Sequence, residues 1–387
     1  MKFLIISNLY LPDARGGAER VAELQAKGLK DAGHEVVVLT TGGKSGLHDE
    51  MSGNIKIYRF LPLNIFWYKN IGNYPFWLRL VWHAIDAINL HSLWVVRKII
   101  DFEKPDKIIS HNLKGLGLLS AVALSNEKKR WIHVIHDIQL SVASGQMRFG
   151  EEKATQNSLF NKINEWYCRI IFNSPLVIIS PSKWLFDFYN NKNFFKNSEC
   201  AILPNPVELA QDVQKTTSDQ LRLLYIGQIE EPKGVNWLVR HIKDLKGDWK
   251  LIVVGDGSAM EDMKNIAGDD NRIKILGKKN RDEINEIFSK TDVTIIPSLI
   301  YENSPAVVYE SLGAGVPVLG ARIGGVGELI EENKNGWTFT PADHNDFLEK
   351  LVNLDIQKVR GMVEDCRSSV QSRGLNKYIE SLLEKIK

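Results

Sequence analysis

Three cysteines in 387 residues, Cys168, Cys200 and Cys366, stand singly, with no CxxC and no paired spacing. That pattern argues against a disulfide scaffold or a thiolate zinc site and favours a reducing compartment. No apolar run approaches the roughly 18 residues that a bilayer-spanning helix needs. The run inside "MKFLIISNLYLPD" is too short for a signal-peptide core and reads as a buried strand. An excess of one charge is also missing. Forty-nine basic residues against 47 acidic ones leave +2, so no general nucleic-acid binder is expected. The dinucleotide fingerprint G-x-G-x-x-G is absent, and so is any D-x-D.

What the chain does contain is ordinary for a soluble globular enzyme: 44% hydrophobic and 25% charged residues. Its length exceeds what one core usually serves, so two domains are expected. Short apolar runs alternate with helix-length amphipathic segments. The strand candidates are 2–7, 35–40, 55–60, 106–110, 131–136 and 176–180, then 221–227, 250–255, 272–277, 292–297 and 316–320. Uniformly apolar strands spaced by helices point to parallel sheets covered on both faces. The fold class is therefore α/β, with two doubly wound Rossmann-like domains in tandem. The expected bounds are 1–205, a polar linker at 206–220, a second domain at 221–365 and one amphipathic C-terminal helix at 366–387. In such folds ligands bind beyond the carboxyl ends of the strands.

The stretch "SLIYENSPAVVYESLGAGVPVLG" (298–320) carries the sharpest signal. It follows a strand. Ser304 reads as an N-cap and Pro305 as a first-turn residue of a helix that stops at its glycines. First-turn amides near Ala306 and Val307 make an anion site, which the helix dipole favours. Glu302 precedes that site and Glu310 lies about two turns inside. Eight residues at about 1.5 Å span roughly 12 Å, comparable to a ribose–diphosphate–sugar unit. A diphosphate at the helix start would have its ribose near Glu310 and its sugar near Glu302. Two glutamates at this spacing also arise by chance on solvated surfaces; it is the order of strand, proline and small-residue helix that favours a site.

The E-x7-E element and its continuation "SLGAGVPVLGARIGGVGELI" resemble the donor-binding region of retaining glycosyltransferases of the GT-B fold, the large bacterial group 1 family. The likeness is strong over about 222–353 and patchier before. It implies a metal-independent hexosyltransferase whose second domain holds a nucleotide diphosphate sugar and whose first holds the acceptor. "YIGQIEEPKGV" (225–235) is similar to the family's Gly–Arg…Lys–Gly element, with Lys233 as the diphosphate lysine and Gln228 where an arginine is usual. The donor set implied is Gly227, Gln228, Lys233, Gly255 and Lys278, with Glu302, Asn303, Ser304, Ala306, Val307 and Glu310. The glycine pair Gly16–Gly17 would let backbone approach the acceptor or a phosphate, although a plain tight turn explains it equally well. His136, ending the strand of "IHVIHDIQL", matches the family histidine beside the transferred sugar, with Asp137 placed to orient it. His111 is a second cleft candidate on the acceptor side. His133 and His34 read as packing. The catalytic set is His136, Glu302 and Lys233.

The resemblance implies no cofactor beyond the nucleotide-sugar co-substrate, no metal and no nucleic acid. The acceptor would be a glycan, lipid-linked or destined for the cell surface. The segment 60–85 is dense in aromatics and carries Lys69 and Arg79, which fits peripheral contact with the inner face of a membrane as well as an acceptor-side packing loop. A cytoplasmic location follows from these readings. Two other functions stay open: a nucleotide-sugar epimerase or phosphorylase on the same fold, and a catalytically silent sugar-binding protein.

Overall fold

The apolar runs become strands because both faces of each sheet are covered: Phe3, Leu4, Ile5 and Ile6 are consecutive and all fully buried. Each such side chain contributes about 1.5–3 kcal/mol on burial. The computed structural model describes residues 1–14, 16–207, 213–216, 218–371 and 373–386. They form two units. Unit 1 takes Met1–Gly145, Gln156–Pro206 and Leu375–Lys387; unit 2 takes Gln146–Thr155 and Val207–Gly374.

The sheet of unit 1 contains β1 (Lys2–Ile6), β2 (Glu35–Thr41), β3 (Leu47–Ser52), β4 (Ile55–Phe60), β5 (Lys107–Ser110), β6 (Trp131–Val134), β7 (Val177–Ser180) and β8 (Glu199–Ile202). Their order is β3-β4-β2-β1-β5-β6-β7-β8. Only β3, hairpinned to β4, is antiparallel. Unit 2 contains β9 (Leu221–Ile226), β10 (Trp249–Val254), β11 (Ile273–Gly277), β12 (Val293–Ile296), β13 (Val318–Ala321) and β14 (Gly336–Phe339). Their order is β11-β10-β9-β12-β13-β14, with every neighbouring pair parallel.

Strand order decides where ligands can bind. In unit 1 the chain moves from β1 to β2 on one side and to β5 on the other. In unit 2 it moves from β9 through β10 to β11, then returns to β12. The direction reverses between β1 and β5, and between β9 and β12. Loops leaving adjacent strands in opposite directions open a crevice at such a switch point.

Two segments depart from the sequence reading. The single helix expected over 366–387 is two, Val363–Gln371 and Leu375–Lys385. The first stays with unit 2, whereas the second packs in unit 1 against the helix Gly17–Asp31. Gln25 donates there to the Tyr378 hydroxyl, 2.5 Å, and Ile379 fills the space over Gly28. Amphipathic periodicity runs through both helices and does not show a change of partner. Of the linker expected at 206–220, residues 208–212 and 217 lie outside the described residues. Within the remainder Val213 is buried, and Lys215 donates to the carbonyls of Phe288 and Thr291 at 2.8 Å, so this part is packed on unit 2. Burial pulls the Lys215 pKa down to about 7.

Candidate functional site

In unit 2 the switch point is lined by the loop after β9, residues 227–234, and the loop after β12, residues 297–305. The first holds Gly227, Gln228 and Lys233. Its turn closes on Gly234, at φ 76°, where a Cβ would lie 1.8 Å from the Pro297 carbonyl oxygen. Only glycine lets the two loops approach this closely. The approach brings the Lys233 ammonium onto Glu302, Nζ to Oε1 2.5 Å, with both side chains largely buried. Ser298 donates to the same carboxylate oxygen at 3.3 Å. From the other side the loop after β13 braces Glu302. The Gly325 N–H donates to its carbonyl at 2.7 Å, and a Cβ on Gly324, at φ 60°, would sit 2.1 Å from that oxygen. Glu302 is thus fixed through backbone and side chain alike.

The helix Ala306–Gly313 starts beside this pair. Its N-cap is Pro305 rather than Ser304, whose hydroxyl shares a hydrogen bond with Tyr309. A buried tyrosine competes for the serine hydroxyl that would otherwise cap the helix. The first-turn amides of Ala306 and Val307 precede the first helical bond, from Val308 N–H to the Pro305 carbonyl, 3.1 Å. Glu310 is exposed on the same helix. Asn303 lies in the bend between Glu302 and the helix. Gln228 is exposed, and its carbonyl accepts from the Tyr225 hydroxyl at 2.7 Å. The Gly227 N–H donates to the Val254 carbonyl, and the Gly255 N–H to that of Gly277, each at 3.0 Å, which aligns three strand ends. Lys278 is exposed just beyond β11. The structure therefore joins Lys233 directly to Glu302, places the helix start beside them, and sets Gly255 and Lys278 on neighbouring strand ends.

Sequence reasoning missed the supports. The Gly324–Gly325 brace lay within the quoted motif, and its glycine pair was the available signal. Arg148 was overlooked. Residues 147–149 form a short antiparallel bridge with 299–301, Phe149 N–H to Leu299 carbonyl 2.9 Å and Tyr301 N–H to Met147 carbonyl 3.1 Å. That bridge puts the Arg148 guanidinium 3.7 Å from Glu231, on the Lys233 loop.

In unit 1, His111 follows β5 and His136 follows β6, two residues beyond the strand end. Backbone bonds fix their loops: His111 N–H donates to the Ile6 carbonyl, 2.8 Å, and Ile135 N–H to that of Ile179, 3.0 Å. The imidazoles meet, His111 Nδ1 to His136 Nε2, at 2.8 Å. Burial lowers the His136 pKa to about 4 and holds His111 well below its usual value, so both rings are neutral at pH 7. His111 is fully buried and its Nε2 has no hydrogen-bond partner among the described residues. A bare lone pair there is tolerated better than an orphaned N–H. An unpartnered His111 Nε2 is best satisfied as a lone pair, a tautomer in which His111 Nδ1–H donates to His136 Nε2. The Asp137 carboxylate is held by Gln139, backbone N–H at 2.8 Å and side-chain amide at 3.3 Å. The group bonded to His136 Nε2 is His111. Burial raises the Asp137 pKa to about 6. His133 packs inside β6, bonded to the Ser110 hydroxyl at 2.8 Å and against Phe172 and Phe195.

Gly16 caps the helix Gly17–Asp31 in extended backbone, donating its N–H to Glu19 at 2.8 Å; Gly17 opens the helix with free space over its Cα. The β1 loop joins the β5 loop through Asn8, whose N–H donates to the Asn112 carbonyl, 3.0 Å, and whose side-chain amide donates to that of Lys114, 2.8 Å. Asn8 and Lys114 had no motif to mark them.

Each unit thus carries one crevice at the carboxyl ends of a parallel sheet, and the pair of Rossmann-like units is the GT-B fold. The protein is a glycosyltransferase. Residues 15–211 match the profile described as Glycosyltransferase Family 4, and the chain belongs to that family. Residues 220–355 match the profile "Glycosyl transferases group 1". The chain is 25% identical to an "Uncharacterized 42.6 kDa protein in cps region" of Klebsiella pneumoniae, with 92% of this chain and 97% of the relative covered. It is 23% identical to N-acetyl-alpha-D-glucosaminyl L-malate synthase of Bacillus anthracis, over 96% of this chain and 93% of that one. Among solved structures, HepE of Anabaena in complex with UDP superposes with a TM-score of 0.71 at 16% identity, covering 100% of this chain and 99% of that one.

Proposed function

We propose that the protein is a retaining hexosyltransferase that moves a sugar from a nucleoside diphosphate donor to a hydroxyl of a lipid-linked or cell-surface glycan precursor. The observation that carries this reading is the Lys233–Glu302 pair at the unit 2 switch point, beside the start of the helix Ala306–Gly313. An arriving diphosphate offers Lys233 a better partner than Glu302, because it carries more charge and meets the helix amides at once. The ammonium exchanges carboxylate for phosphate, and the released Glu302 accepts hydrogen bonds from the sugar hydroxyls. Glu310, two turns along, takes the ribose. Departing charge is met by Lys233 and fixed backbone donors, so no metal is called for. His136 serves as a neutral hydrogen-bond donor through Nδ1, its Nε2 being engaged by His111. Departure and attack then occur on the same face of the sugar, with the leaving phosphate receiving the acceptor proton. The name of the malate synthase relative, which joins an N-acetylglucosaminyl group to L-malate, supports sugar transfer to a hydroxyl-bearing acceptor.

The test is turnover of UDP-, GDP- and dTDP-hexoses with a lipid-linked glycan acceptor, followed by NMR of the product linkage. A product with the donor's anomeric configuration is expected. Inversion sinks the retaining reading, and donor consumption without acceptor makes the protein an epimerase or hydrolase.

The same proposal includes cytoplasmic contact with a membrane surface. Among the described residues no helix is long and apolar enough to cross a membrane. The segment 60–85 divides in two. Trp82 is buried, and Trp67 donates to the Thr41 hydroxyl and packs on Gly43. Phe76, Trp77, Leu80 and Val81 instead leave one face of the helix Phe76–Ala87 exposed. The helix Leu159–Phe172 exposes Leu159, Ile163, Trp166 and Ile170, spaced as one stripe, and Tyr167 ties it to the Ala87 carbonyl. Lys162 on this helix and Lys98, 5.1 Å from the exposed Trp94 ring, add cationic groups. Exposed tryptophan with interspersed lysine fits the headgroup region of an anionic bilayer.

A further inference from the structure

We infer that His241, Asp244 and His344 form a binding site for one divalent transition-metal ion, zinc being the best fit, in unit 2 and separate from the donor residues. His241 ends the helix Val235–His241, Asp244 lies in the single turn Ile242–Asp244 that follows, and His344 opens the helix His344–Val352. The imidazole rings of His241 and His344 lie 4.5 Å apart, and one ligand atom from each of the three residues falls within 4.8 Å of the others. Tetrahedral zinc with ligands at about 2.0–2.1 Å separates its donor atoms by roughly 3.3 Å. His344 Nε2 and Asp244 Oδ2 already stand at 3.2 Å. The remaining ligand, His241, closes the third edge by a side-chain rotation.

The contact between His344 and Asp244 does not behave as a hydrogen bond. His344 Nε2 is shielded from solvent yet has no hydrogen-bond partner among the described residues, although the carboxylate is beside it. Two donor atoms at this separation with no hydrogen bond between them suit a cation held by both. Two imidazoles and a carboxylate suit zinc and its neighbours better than magnesium or calcium, and three protein ligands leave one position for water or a further ligand. The ion would clip the start of one helix to the end of another, and binding only the folded state would stabilise unit 2.

The test uses the full chain, stripped with chelator, and titrated with Zn²⁺ by calorimetry and thermal melting. Co²⁺ serves as a visible-absorption probe of coordination. The expected result is one Zn²⁺ per chain, a raised Tm, and intense cobalt d–d bands of a four-coordinate site. Asp244→Asn, at an exposed position that folding tolerates, and His344→Ala should each weaken binding at least tenfold and abolish the cobalt bands. Absence of stoichiometric binding to the wild type, or equal affinity in Asp244→Asn and His344→Ala, overturns the assignment.

Discussion

Replacing Lys233 by alanine isolates the charge on which the proposed donor site rests. In the structure its ammonium lies 2.5 Å from Glu302, with 27% and 17% of the two side chains exposed. A hydrogen bond to a charged group contributes about 1.5–3 kcal/mol, so UDP should bind roughly 10- to 150-fold more weakly to Lys233→Ala. The loss should exceed that of an exposed cation, because the variant leaves the Glu302 carboxylate uncompensated at the proposed diphosphate position. A second variant separates the two contributions. Glu302→Gln removes the repulsion and releases Lys233, so UDP alone should bind as tightly as to the wild type or more tightly, while sugar turnover falls. Calorimetric titration of UDP at low and high salt reads both effects, and the wild-type affinity should decline with salt more steeply than that of Lys233→Ala. An unchanged UDP dissociation constant in Lys233→Ala would refute the partner exchange.

Four further outcomes are expected. Glu310→Ala should weaken donor binding by about 1.5–3 kcal/mol through lost ribose hydrogen bonds, with melting unchanged; an intact dissociation constant moves the ribose elsewhere. Gln228→Arg should tighten nucleoside diphosphate binding in a salt-sensitive way, whereas a loss would mean that Arg148, on the adjoining segment, already supplies the second cation, which Arg148→Ala checks by weakening. Trp77→Ser with Trp166→Ser should release the protein from anionic vesicles in flotation and spare turnover of a short water-soluble acceptor; wild type that fails to float removes the membrane contact. Burial depresses His133 to about 3, His136 to about 4 and His111 below its usual value. The folded state therefore binds fewer protons than the unfolded chain, so their contribution to stability is present above pH 6.5 and is lost as pH falls toward 4. Denaturant melts from pH 7 to 4 should show that decline, and a flat profile contradicts it.

Every strand read from the sequence is present, because fully buried parallel strands are continuous apolar runs. Three were missed for lack of that signature. The edge strand β3, "LHDEMS", is almost wholly exposed, β8 "ECAI" buries one residue, and β14 "GWTF" is short and begins with glycine. Glu302 and Glu310 stood out by their spacing around a helix start, and Lys233 by the resemblance to the family element. The meeting of Lys233 with Glu302 was not legible. It depends on β9 lying next to β12, a pairing between segments 69 residues apart at the contact itself. The two histidines posed the reverse difficulty. Strand-end positions marked His111 and His136 separately, but only the pairing of β5 with β6 brings the two rings into contact. Ser304 shows how a local rule fails: its capping signature was sound, and a buried tyrosine five residues on took the hydroxyl.

We propose that unit 2 binds the donor and that His136 of unit 1 acts in the transfer step. His136→Ala tests this most directly, with initial rates and donor titration on the same folded sample and His133→Ala as the control. Interactions made in the transition state affect turnover more than binding, and a positioned hydrogen-bonding group of this kind contributes about 10²-fold or more. His136→Ala is expected to lower kcat by that factor with donor affinity nearly intact, while His133→Ala costs stability and keeps near-normal activity per folded molecule. Near-normal turnover in folded His136→Ala would contradict it and pass the role to His111.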